Sequence, residues 1–534
     1  MSTRDSASEN TDPILIDSIA RTVSEVEGHP KGYLEVAVIL EILGYSDKDA
    51  REMGFRSVFD LARATHESVS RFSVDEGPEE IEEPKENTLI LFFAGMFYNL
   101  GWMIMLLSLF LGGQSLWAAK DLPTHISTGI GMGVLLGLIS TGGIQQFTAW
   151  KLIYYQMQGN KPLARFIMER NLIVGSLIIL GTFAIFLAIN AIALSLPIQV
   201  ILITLYFLTL IGIYRLFAAP VFAFRRFKAL LFISVSALVV MFASYFVLAS
   251  FGMERVGAVI TSQSLGLAVL IFSSAYFTHR YIFSEREEKD EDEPPFYSRP
   301  ELPKKVKAPR YWVLGYEGIP IILHGTLYFV FIFGDRLVSW FGAGPMMISY
   351  NRTYQIGVDL ALLLLIPITG VKFTYLFRMS NYLERNLKKT DMSDCSSFSI
   401  ALKAFYKRMV VGVTVFGGLF VLIAFLAGDW FVGIGGGNAE SATVFKWALL
   451  GIFFFSLFLT NSVFSFCFRK NKAIVVVLAL GCVLAYSLSY IFSTVSQWYS
   501  VFGFVLSSFF LMVTSFFVVF DMLRKADYTY YQAF

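Results

Sequence analysis

From residue 88 onward, apolar runs of about 20 residues alternate with short polar stretches, and a run of that length crosses a bilayer as a helix. The pattern predicts twelve spans, at roughly 88–112, 126–144, 171–193, 197–216, 229–251, 256–279, 313–340, 354–376, 409–428, 444–466, 472–493 and 498–522. Residues 1–87 follow a different rhythm. LEVAVILEILGYSDKDAREMGFRSVFDLARATHESV (34–69) has helical periodicity, as has ILIDSIARTVSEV (14–26). Gly44 and Gly54 suit helix stops, Ser46 with Asp49 forms a capping box, and Ser57 suits a helix start. The expectation is a small bundle of three or four short helices behind a polar tip, MSTRDSASENTDP.

Composition agrees with a membrane body. The chain of 534 residues is 55% hydrophobic with mean hydropathy +0.61, above the usual apolar share of a soluble protein. Net charge is +2, which hides an asymmetry: residues 1–87 carry −11 and the remainder +13. With the N-terminus inside, the inner loops and the C-terminal end hold 28 Lys and Arg against 4 in the outer loops. Basic residues favour the cytoplasmic side, so this bias predicts both termini in the cytoplasm and an even number of spans.

The longest inner loop, FSEREEKDEDEPPFYSRPELPKKVKAPR (283–310), is charged and Pro-rich and divides the body six and six. The halves resemble each other. FAGMFYNLGWMIMLLSLFLGG (93–113) lies over LHGTLYFVFIFGDRLVSWFGA (323–343), and LLGLISTGGI (135–144) over LLLLIPITGV (362–371). Because six is even, the repeats are parallel, and transporters built so carry cargo between their halves. The fold expected is an all-α polytopic membrane protein of twelve helices in two parallel six-helix lobes. The expected divisions are a cytosolic helical domain (1–73), an acidic linker (74–87), an N-terminal lobe (88–282), a cytosolic linker (283–312) and a C-terminal lobe (313–534).

Within this apolar body a few polar residues stand out. FVFIFGDRLVSWF (329–341) places Asp335 and Arg336 inside span 7, although each charge in a bilayer costs at least about 2.5–3.5 kcal/mol. Asp359 lies at similar depth in span 8. Asp335 and Arg336 point about 100° apart, so the expected arrangement pairs Arg336 with Asp359 and turns Asp335 toward a cavity. Two readings stand: a helix clamp, or a lining of a polar path. Tyr98 and Asn99 in span 1 and His324 and Tyr328 in span 7 fall on facing repeats, and Gln145, Gln146 and Lys372 mark the inner ends of spans 2 and 8. Such aromatic and amide groups suit sugars; each taken singly is also an ordinary anchor. Glu317 and His324, seven apart, share a face and could relay a proton.

Motifs of other chemistries are missing. There is no GxxxxGK[ST], HExxH, CxxC or GxSxG, and Cys395, Cys467 and Cys482 fit neither a metal site nor a disulfide framework. No catalysis, cofactor or metal is expected. VGIGGGNAE (432–440) falls in an outer loop where no nucleotide is expected. Asn351-Arg352-Thr353 matches a glycosylation acceptor, discounted outside a eukaryotic secretory route. The front segment has no basic stripe, which argues against nucleic acid as a partner. Its size suits docking of a partner or control of entry, and equally a stabilising appendage.

GTLYFVFIFGDRLVSWF followed by YQIGVDLALLLLIPITGVKFTYLF resembles the PelG-type exopolysaccharide exporters of the multidrug/oligosaccharidyl-lipid/polysaccharide flippase superfamily. Gly325, Tyr328, Asp335, Trp340, Phe341, Asp359 and Pro367 carry the likeness. Arg336 stands where that family usually has Lys, which keeps the charge and changes its geometry. GGIQQFTAWKLIYYQMQGN resembles the stretch after span 2, though the usual Arg-Tyr and Asp are missing. The resemblance covers about 88–530. It implies two six-helix lobes in a bacterial inner membrane, and export of a biofilm-type polysaccharide made by a cytosolic glycosyltransferase partner. Asp335, Arg336 and Asp359 would then form an outer gate. A drug or cation antiporter of the same superfamily and a non-transporting scaffold for a synthase are the rival expectations.

Overall fold

A computed structural model describes residues 13–27, 30, 32–72, 88–93, 95–96, 108–109, 112–116, 118–119, 122–157, 160–224, 227–283, 310–389 and 395–526. The polar tip, the acidic linker, most of span 1 and the long inner loop lie outside the described residues.

In the front segment α1 (Pro13–Glu27), α2 (Tyr33–Ile42), α3 (Asp47–Glu52) and α4 (Val58–Phe72) enclose Val23, Val36, Leu40, Leu61 and Ala62. The expected punctuation is present. Gly44 and Gly54 take φ of +93° and +90°, a region that excludes most side chains. The Ser46 side chain accepts from the Asp49 backbone N–H while Asp49 accepts from that of Ser46 at 2.7 Å. Ser57 Oγ accepts from the Asp60 N–H at 3.4 Å. Hydrogen bonding to its ionised form lowers the pKa of Asp49 below the usual carboxylate value.

Ahead of span 2 lies a short antiparallel pair, β1 (Gln114–Ser115) and β2 (Ala118–Ala119). The helices of the first half are α5 (Thr124–Met157), α6 (Lys161–Ile189), α7 (Ile198–Ala223), α8 (Phe227–Ser250) and α9 (Arg255–Thr278). The second half holds α10 (Tyr311–Trp340), α11 (Arg352–Leu362), α12 (Leu365–Lys389), α13 (Cys395–Leu426), α14 (Gly428–Ile434), α15 (Ala439–Cys467), α16 (Asn471–Ser493) and α17 (Ser500–Arg524). Among the described residues eleven helices are long and apolar enough to cross a membrane, at the expected positions of spans 2–12. Several run deeper than the apolar runs because amphipathic turns extend them, as at 145–157 and 161–170.

Packing repeats between the halves. Span 2 (α5) packs chiefly on span 4 (α7), and span 8 (α11) on span 10 (α15). Span 1 meets span 5 where Gly112 abuts Phe242, and span 7 meets span 11 where Gly334 abuts Tyr486. The same pairing thus recurs six helices later, as parallel repeats require. Span 8 is not continuous. Three-residue turns link Leu363 to Leu360, Leu364 to Ala361 and Ile366 to Leu363, and Pro367 offers no N–H, so α11 and α12 are separate rods. The Gly-rich stretch 432–440 joins α14 to α15, with Gly436 at φ +72° and Asn438 capping α15 through the Ser441 N–H at 2.9 Å.

Candidate functional site: an ion cluster and the seam beside it

Span 7 (α10) carries the site because it is apolar except at chosen turns. Arg336 Nη1 donates to Asp359 Oδ1 at 2.7 Å, so the expected pair forms. Gln355, one turn before Asp359 on α11, donates to the same oxygen at 2.9 Å. Asp335 differs from expectation. It is 1% exposed and accepts the hydroxyl proton of Tyr354, instead of opening to a cavity. Arg336 and Asp359 are 3% and 5% exposed, and the guanidinium lies 5.2 Å from the Phe333 ring centroid. Arg336 Nε and Nη2, Asp335 Oδ1 and Gln355 Oε1 have no hydrogen-bond partner among the described residues.

The cluster ties two rods of one lobe together, and those rods touch the other lobe. Trp340, one turn beyond Arg336, is 1% exposed and rests on Gly131 of α5, where a Cβ would come within 2.6 Å of the indole. Trp340 also packs at a tilt of 52° on Tyr350, with ring centroids 5.2 Å apart, and the Tyr350 backbone N–H donates to Thr128 Oγ1 of α5 at 2.9 Å. Asn351 accepts from the Tyr354 N–H at 3.1 Å and donates to the Ser339 carbonyl at 3.3 Å, so its amide is used in capping α11, not presented as an acceptor for glycan.

The remaining candidates belong elsewhere. His324 and Gln146 lie 3.3 Å apart, with the imidazole edge-on to Phe466 at 4.6 Å. Tyr328 packs on Phe455 at 5.7 Å. Gln145 is buried on α5, and Lys372 lies on α12, beyond the break in span 8 from Asp359. Glu317 pairs with Lys151 at 2.7 Å, so it and His324 each engage α5 and form no direct relay. Tyr98 and Asn99 lie outside the described residues. On the orientation expected from the sequence, the candidates therefore split into an outer cluster (Asp335, Arg336 and Asp359, joined by Tyr354 and Gln355) and an inner seam along α5 and α10, with Lys372 on α12 in neither. Tyr354, Gln355 and Lys151 were missed from the sequence. The i, i+4 spacing of Gln355 and Asp359 was a usable signal for one of them.

No family model matches this chain, and no curated protein does. Solved structures do. The chain is similar to the Vibrio cholerae MATE transporter VcmN, at TM-score 0.54 and 12% identity over 82% of this chain and 96% of that one. It is similar to a multidrug resistance MATE family transporter of the MOP superfamily in its inward-facing conformation, at TM-score 0.56 and 12% identity over 82% and 98%. The outward-facing conformation of such a transporter gives 0.54 and 13% over 82% and 96%. Span number, paired repeats and these alignments agree: the chain is a polytopic membrane protein with the MATE transporter fold.

Proposed function

We propose that this protein exports a polysaccharide across a bacterial inner membrane, along a path between its two lobes, from a glycosyltransferase on the cytoplasmic side. The carrying observation is the chemistry of the outer cluster. Its buried atoms with no partner among the described residues are both donors (Arg336 Nε and Nη2) and acceptors (Asp335 Oδ1 and Gln355 Oε1). The cluster is enclosed in this form; once the contact of Trp340 with α5 parts, polyhydroxyl cargo, whose hydroxyls both donate and accept, can serve both kinds at once, whereas a lipophilic cation serves the acceptors alone. Of the residues that carry the sequence resemblance, Asp335 and Asp359 belong to this cluster, Trp340 stands at the contact between lobes and Pro367 at the break in span 8, while Gly325 and Tyr328 lie further along α10. The ion cluster fixes Trp340 and Tyr350 against α5, and parting that contact opens the outer mouth. The front helices and basic inner loops serve as the docking side for the glycosyltransferase.

A drug antiporter is the second reading, favoured by neighbours that are multidrug transporters. Secretion assays in the native host separate the two. Arg336→Met with Asp359→Leu removes both charges at similar volume, so loss of polymer at normal protein level supports the path. Unchanged secretion overturns it. Polymer secretion without resistance to small toxic cations excludes the antiporter.

A further inference from the structure

Helix α10 meets the first lobe along its inner half through side chains of four kinds. Tyr311 donates its hydroxyl proton to Asn171 Oδ1 at 2.7 Å, and Asn171 donates to Thr148 Oγ1 at 2.8 Å. Glu317 accepts from Lys151 Nζ at 2.7 Å. His324 meets Gln146, and the Arg215 guanidinium lies 4.8 Å from the Phe329 ring centroid. Beneath them the backbones nearly touch: a Cβ on Gly142 would lie 2.8 Å from the Gly325 carbonyl, and one on Gly143 would meet that of Ile322.

Two of the body's ion pairs, Lys151–Glu317 and Arg336–Asp359, differ in what breaking them exposes. Arg336 and Asp359 are both buried and lie in the same lobe. The Lys151 side chain is 4% exposed but that of Glu317 is 50% exposed, and the pair crosses from lobe to lobe. Half of Glu317 is already in contact with the surroundings, and the Lys151 ammonium lies 4.2 Å from the Trp150 ring and 5.5 Å from that of Tyr154. A cation held over aromatic faces keeps part of its stabilisation when its carboxylate leaves. Both cations lie near aromatic rings, so the carboxylates make the difference: breaking this pair leaves Glu317 half exposed, whereas breaking Arg336–Asp359 leaves the Asp359 carboxylate enclosed.

We propose that Lys151 and Glu317 form a latch that keeps the inner seam shut, and that this seam parts by releasing the pair while the outer ion cluster stays whole. The latch sets the balance between closed and inner-open forms. It acts on the lobes themselves, so it holds for polymer or drug alike.

The test needs no transport. In the full-length protein with Cys395, Cys467 and Cys482 replaced by Ser or Ala, Thr326→Cys puts a thiol at the seam beside Gly143. Labelling by a membrane-impermeant maleimide is followed in vesicles from each face. Glu317→Gln, at a half-exposed position, raises the labelling rate from the inner face about fivefold, the scale of one partly exposed ion pair. Lys151→Glu with Glu317→Lys returns the rate toward the parent value. Tyr311→Phe, which leaves the charges in place, raises it less than Glu317→Gln. An unchanged rate in Glu317→Gln, or a rise from the outer face alone, overturns the latch. So does a reversed pair that labels as fast as the single variant. If the reversed pair does not reach the membrane, the comparison of Glu317→Gln with Tyr311→Phe decides.

Discussion

Arg336 reaches across from span 7 and holds Asp359 of span 8 at 2.7 Å, with both side chains enclosed. Taking away one partner strands the other in a low-dielectric interior, a loss of roughly 3–5 kcal/mol, while removing both at constant volume is close to neutral. Arg336→Ala should therefore lower the unfolding temperature in detergent far more than Arg336→Met with Asp359→Leu. Equal losses in the two variants would show that packing, not charge, sets the cost.

Tyr354 is the partner that lets Asp335 stay inside. Tyr354→Phe keeps the ring and removes the donor, so the carboxylate loses its hydrogen bond at a cost of about 1–3 kcal/mol. Adding Asp335→Asn should recover part of that loss, since the amide carries less charge to satisfy. Thermal unfolding of the two single variants and the double gives the coupling.

Gly143 allows the lobes to approach backbone to backbone. A methyl there would lie 2.6 Å from Thr326 Oγ1 and would also strike the Ile322 carbonyl, which cannot swing aside. Gly143→Ala should destabilise the closed form by about 1–3 kcal/mol. Chemical cross-links between α5 and α10 at their inner ends should form more slowly than in the parent.

The capping box of α3 has a pH signature. Asp49 titrates below the usual carboxylate range because its ionised form is hydrogen-bonded in the folded state. Its contribution is present above the unfolded value and is lost as pH falls through the lower, folded one. Amide exchange at 49–53 in the intact protein should rise on acidification below about pH 4, beyond the intrinsic change. Ser46→Ala should give about fivefold faster exchange at neutral pH, the scale of a lost cap. An equal acid response in Ser46→Ala and parent would disconnect the two.

Periodicity made the fold legible. Twenty-residue apolar runs, the Lys and Arg bias and the resemblance between halves need no tertiary knowledge, and spans 2–12 lie where those signals put them. The helices of the front segment were equally plain, because Gly44, Ser46, Asp49 and Gly54 act within one turn of themselves. The ion cluster was half legible. Matching depths in adjacent spans found Arg336 with Asp359, but the role of Tyr354 depends on the rotation of α11 about its axis, which composition does not encode. Lys151 was hidden among basic residues of an inner loop, because α5 continues well past its apolar run and carries Lys151 to Glu317. The relay imagined between Glu317 and His324 failed for the same reason: a shared helical face says where side chains point, not what the neighbouring helix offers them.

The interruption at Leu363–Leu364 also has a mechanical meaning. The rod that bears Asp359 is only 11 residues long and is jointed to the rest of its span. It can lean by pivoting at that joint while α12 keeps its place. A force on the Asp359 end of span 8 thus works against a short lever and is not carried to α12 through an unbroken helix.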